Sequence, residues 1–153
     1  MSQEERFGTR DRTYSAWHRR LSTRRFVGIE RAQLLAMIDL DSQLWVEYQD
    51  KDYVPLALVE TALDVGQTRK TATVTRNLAR ISGLPAYTVL YKPSDAPNPA
   101  DEACLDIESF RVKRLWPEPE TEFRTITPRQ WAEALVKIRQ WSARKLDVVA
   151  VAG

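Results

Sequence analysis

LAMIDLDSQLWVEYQDKDYVPLALVETALDVGQTRK, residues Leu35 to Lys70, holds two apolar runs separated by a polar turn. Ala36 to Asp41 alternates. In a strand, successive side chains point to opposite faces, so Met37, Asp39 and Asp41 are expected on one face and Ile38 and Leu40 on the other. Leu44, Val46 and Tyr48 continue an apolar face. Gln49 to Asp52 (QDKD) reads as the turn, and Tyr53 to Thr61 as the returning strand. Pro55 has no N–H to give a ladder, which places it near the strand start or at an edge. Leu56 to Val59 is continuously apolar, the pattern of a strand buried on both faces. Asp39, Asp41, Glu47 and Glu60 sit among these apolar residues. An unpaired carboxylate in such a place is costly. A divalent cation would satisfy it; so would ion pairs with the chain's bases, or solvent at a strand end. Glu47 is expected to face solvent.

Working downstream, Gly66 opens a turn and Thr71 to Ser82 reads as a helix. It carries Val74, Leu78 and Ile81 on one face and Arg76 and Arg80 elsewhere. Gly83 is placed to end that helix, and Pro85 prevents its continuation. Ala86 to Tyr91 is a strand, Pro93 to Asp101 with its three prolines a surface loop, and Leu105 to Leu115 another strand. Thr127, Pro128 and Gln130 form a capping signature. Trp131, Ala134, Leu135, Ile138 and Trp141 then recur at helical spacing on a core-facing helix. Upstream, Tyr14 to Leu21 reads as a short helix with Thr13 at its N-cap. Ser22 to Glu30 breaks the pattern, and a further helical turn is expected around Glu30 to Leu34. The order is helix, strands, helix, strand, strand, helix. It predicts an α/β fold with a central mixed sheet of four to five strands flanked by helices.

The chain has 153 residues, 43% hydrophobic and 29% charged, which fits one ordinary domain with a real core. Residues 1–12 are expected as a flexible basic arm, 13–145 as the domain and 146–153 as an apolar tail. No run approaches the roughly 18 apolar residues that span a bilayer. The polar N-terminus and the single cysteine, Cys104, lead to the expectation of a reducing, cytoplasmic setting without a membrane partner. Net charge is only +2, yet Arg6 to Arg25 holds seven arginines and His18 against one acid. That segment could neutralise phosphates or form a solvated tail.

The pieces MIDLD (Met37 to Asp41) and PLALVETA (Pro55 to Ala62) together resemble the PD-(D/E)XK nuclease superfamily. There, a strand bearing Asp is followed by an apolar strand ending in Glu-x-Lys. The helix–strands–helix–strand order is also similar to that family's core, and the likeness runs from Leu35 to Tyr91. The resemblance implies a restriction-endonuclease-like core acting on DNA, carried by a phage or mobile element. It implies a Mg²⁺ or Mn²⁺ site in which Asp39 or Asp41 matches the metal-binding aspartate and Glu60 the glutamate. Where the family has its lysine, this chain has Ala62. Lys70 or Arg69 would then have to swing back into the site, with Gln67 assisting. The catalytic set expected on this reading is Asp41, Glu60, Lys70 and Gln67, with Arg19, Arg20, Arg24, Arg25, Arg69 and Arg76 on nucleic acid.

A catalytically silent member of the same fold, binding nucleic acid or protein, is the alternative that Ala62 favours. A regulatory interaction protein with incidental strand acids is a third reading, and a homodimer or protein partner fits either. His18 has no ligand or triad constellation around it and is expected at the surface. Cys104 has no activating motif. The tryptophans and tyrosines are expected in the core, with Trp17 and Trp45 set apart by the charged groups near them.

Overall fold

A strand apolar on both faces needs a packed layer on each side, and the chain supplies both. The computed structural model describes residues 13–18, 20–41, 44–49 and 54–152, and for 20–21, 36–49 and 145–152 it describes the backbone alone. Three short helices come first: α1 (Thr13–His18), α2 (Arg20–Val27) and α3 (Ile29–Ala32). An antiparallel meander follows, of β1 (Ala36–Asp41), β2 (Leu44–Gln49) and β3 (Val54–Leu63). Helix α4 (Thr73–Ser82) then crosses over to β4 (Ala86–Asn98), which lies parallel to β3. The antiparallel strands β5 (Asp101–Trp116) and β6 (Arg124–Ile126) complete one six-stranded sheet in chain order, and α5 (Pro128–Ala152) closes the described fold.

The expected mixed sheet between helices is therefore present, with six strands instead of four or five. The additional strand, β6, is three residues long, too short for its alternation to register. One face of the sheet carries Ala57, Val59, Val89, Tyr91, Phe110 and Val112 against Tyr14 and Trp17 of α1 and Trp131, Leu135 and Ile138 of α5. Trp17 and Phe110 meet edge to face at 4.8 Å between ring centroids, a favoured aromatic geometry. The other face is thinner. Leu58, Ala86 and Leu115 pack there against Ala79 of α4.

Three expectations need correction. The break expected over Ser22 to Glu30 is instead helical through Val27, and Gly28 ends it at φ 86°. Ser22 is buried and exchanges hydrogen bonds with Asn98, at 3.2 Å from its Oγ to Oδ1 and 3.0 Å from Nδ2 back to Oγ. That tertiary partner outweighs serine's weak helix propensity. The proline-rich stretch expected as a loop belongs to β4 as far as Asn98. Its pairing shifts between Lys92 and Pro93 and again on either side of Pro97, so the residues without N–H groups sit where the ladder is irregular. The apolar tail from Leu146 is a continuation of α5 to Ala152. No proline or glycine intervenes before Gly153, so the helix simply propagates.

Residues 1–12, Ser42, Gln43 and most of the QDKD turn lie outside the described residues. Among the described residues, no helix is long and apolar enough to cross a membrane.

Candidate functional site

The site grows from the register of the sheet. Asp41 pairs with Leu44, Leu44 with Glu60, Glu60 with Thr88, and Thr88 with Lys113, so these positions form one row across five strands. Asp39 pairs with Trp45, which pairs with Val59, and the register shifts between Asp39 and Asp41. The shift divides the two aspartates between neighbouring rows, where the sequence alternation had put them together. Asp41 is the one in the row of Glu60. One strand lies between β1 and β3, which sets their backbones about 10 Å apart. The side chains of Asp39, Asp41, Glu47 and Trp45 lie outside the described residues, as do those of Arg19 and Arg20.

Glu60 is half-buried beneath α4. The buried Thr75 hydroxyl donates to Glu60 Oε1 at 3.1 Å. Among the described residues, neither the buried Glu60 Oε2 nor the buried Oγ1 of Thr88, its neighbour in the row, has a hydrogen-bond partner. Buried carboxylate oxygens are ordinarily paired, so Glu60 has bonding capacity that the described residues around it do not use. Among the described residues, no group of three His, Cys, Asp or Glu side chains is placed to hold a metal.

Further along the same face the chemistry is settled differently. Ala62 is paired with Leu90, and Leu90 with Arg111. Arg111 grips Asp64 in a two-pronged ion pair, Nε to Oδ2 at 3.0 Å and Nη2 to Oδ1 at 2.7 Å. Asp64 also accepts from the Gly66 N–H at 3.0 Å. The hydrogen bond from Arg111 outweighs the cost of burial and holds the Asp64 carboxyl below its ordinary value of 3.8. Gln67 is committed to the same turn: it accepts from Val65 N at 2.8 Å and Arg111 Nη2 at 3.3 Å, and donates to Leu63 O at 3.0 Å. Its hydrogen bonds go to the turn and to Arg111, whereas Glu60 takes its own from Thr75. Lys70 is half-buried in the connection leading to α4, and Arg69 and Arg76 are exposed. Arg24 is exposed as well, while Arg25 is paired with Asp106 at 2.6 Å.

Arg111 and Lys113 were missed as site residues. Both lie over the Phe123 ring, at 5.3 and 4.9 Å from its centroid. Their signal was in the sequence, since FRVK (Phe110 to Lys113) alternates apolar and basic residues and so puts Arg111 and Lys113 on one sheet face. His18, expected at the surface, is buried, with Nδ1 3.1 Å from the Tyr14 hydroxyl. Helical spacing places Tyr14 and His18 one turn apart, so His18 joins the aromatic core. Trp17 is likewise fully buried. Cys104 is half-buried, with Sγ 4.0 Å from Asp101 Oδ2. No protein-family model matches this chain, and no match to a curated protein or a solved structure emerges.

Proposed function

We propose that this chain is a nuclease-like domain acting on DNA phosphodiesters, with an ion site built around Glu60 and completed by Asp41. The observation that carries the reading is the Glu60 carboxylate, oriented by Thr75 through one oxygen and, among the described residues, buried and unpaired at the other. The place of Asp41 in the row of Glu60 supports it. So does the succession of helices, three-strand meander, crossover helix and parallel strand, an order similar to the PD-(D/E)XK core. Carboxylate oxygens are the donors that Mg²⁺ or Mn²⁺ prefers, so Glu60 fits such an ion. When bound, it would acidify a coordinated water and offset charge developing at phosphorus. The chain's own part is to fix the Glu60 carboxylate with Thr75, to shield it under α4, and to meet phosphate with Arg69 and Arg76.

A second reading is favoured by one observation. Ala62 stands at the motif's lysine position, and Arg111, the cation in its row, is already paired with Asp64. A domain so arranged would bind nucleic acid or a protein without cutting.

Calorimetric titration with Mn²⁺ and a plasmid-nicking assay decide between them. The nuclease reading expects saturable Mn²⁺ binding and nicking by the natural chain. In Glu60→Ala both are lost and the melting temperature is retained. Metal and DNA binding without nicking would leave the silent reading. Nicking of equal strength by Glu60→Ala would remove Glu60 from the chemistry.

A further inference from the structure

A groove opens on the sheet face opposite Glu60. Tyr87 precedes Thr88, so strand alternation turns it toward α5, and Arg114 pairs with it across the β4–β5 ladder. Lys137 and Trp141 of α5 overhang these two, and Pro117 and Glu118 close the end. The cavity measures about 370 Å³, toward the small end of ligand pockets, which run from ~300 to 1,000 Å³. Its walls include two aromatic rings, and its charged groups are two cations and one carboxylate. Arg114 Nε donates to the backbone oxygen of Glu118 at 3.1 Å, which holds the guanidinium in place, and Lys137 is exposed at the rim.

We propose that this groove binds one nucleotide unit, its base against Trp141 and Tyr87 and its phosphate between Arg114 and Lys137. Aromatic side chains stack on any base, because every base has a π-face. Arg and Lys are the side chains that bind phosphate, one as a planar fork and the other as a point charge. Glu118 adds an acceptor for a base amine or a sugar hydroxyl. A purely apolar ligand would leave both cations desolvated beside it, and a dianion lacking donors would meet the Glu118 carboxylate. The nucleotide can come free or as the end of a single strand. The groove shares no residue with the Glu60 site, so either can fail without the other.

The test is calorimetric titration of the full chain, without metal, with AMP, adenosine and a short single-stranded oligoadenylate. AMP is expected to bind saturably. Lys137→Glu, at an exposed position where folding is not at stake, is expected to weaken AMP by at least about tenfold, since it removes one charge-assisted hydrogen bond and sets a like charge beside the phosphate. The same substitution should leave adenosine unchanged, and Trp141→Ala should weaken both. Oligoadenylate binding tighter than AMP assigns the groove to strand ends; equal binding assigns it to free nucleotide. Absence of saturable AMP binding, or AMP binding indifferent to Lys137→Glu, overturns the proposal.

Discussion

Glu60 and Asp64 stand four positions apart on the same face, one within β3 and the other just past its end, and their surroundings assign them opposite roles. Asp64 has its oxygens occupied by Arg111 and by the Gly66 N–H. Glu60 has one hydroxyl and a buried oxygen to spare. Asp64 is therefore a structural acid and Glu60 an uncommitted one. Because the Asp64 carboxyl is held below its ordinary 3.8, its contribution to stability is fully present above that value. It is lost as pH falls through the folded-state value. With side chains only 13% and 19% exposed, the pair is little weakened by solvent. Asp64→Asn is expected to cost about 1–3 kcal/mol at neutral pH, with the difference shrinking in denaturant melts below pH 3.8. A gap that stays constant into acid would show that the charge on Asp64 is immaterial. None of this pairing was legible in the sequence, since 47 positions separate Asp64 from Arg111. The acidity of the strand region was legible; which acid is already paired was not.

Local signals served the helices unequally. The start of α5 was fully legible. Thr127 N–H donates to Gln130 Oε1 at 2.9 Å and Gln130 N–H to Thr127 Oγ1 at 3.1 Å, the reciprocal box expected from residue types alone. Thr127→Ala is expected to cost about 1 kcal/mol, read from the chemical-denaturation midpoint; an unchanged midpoint would mean the box is redundant with the packing of Trp131. For α4 the spacing of Val74, Leu78 and Ile81 is as expected, but the stripe faces outward. Val74 and Ile81 are 80% and 78% exposed, and the helix docks through Thr75 and Ala79. Periodicity identifies an apolar stripe without saying which side meets the sheet. Here two small side chains let the helix sit close over Leu58 and Ala86. Ile81→Lys should accordingly change stability by less than about 0.5 kcal/mol; a loss several times larger would mean that the stripe is covered in solution.

At the scale of the whole molecule, the two faces of the sheet are unequally secured. Among the described residues, sixteen buried ones make up the cluster beneath α1 and α5, and four the cluster beneath α4. Free energies of local opening follow buried apolar contact, so the element with the smaller core opens first. The layer that carries Thr75, the donor on Glu60, is thus the weaker one. The sequence made the α/β order legible because β3 announces burial on both sides. It did not reveal this inequality, which arises from which face of α4 is turned inward. Native-state hydrogen exchange measures it directly. Amides of α4 are expected to exchange through an opening well below the global unfolding free energy. Those of β4 between Thr88 and Tyr91, and of α5 between Trp131 and Ile138, should exchange only near it. Opening of α4 would expose the row from Glu60 to Lys113 without disturbing the aromatic core around Trp17 and Phe110. Protection of α4 equal to that of β4 would mean the layers unfold as one unit, and access to Glu60 would then have to come from the β1 side of its row.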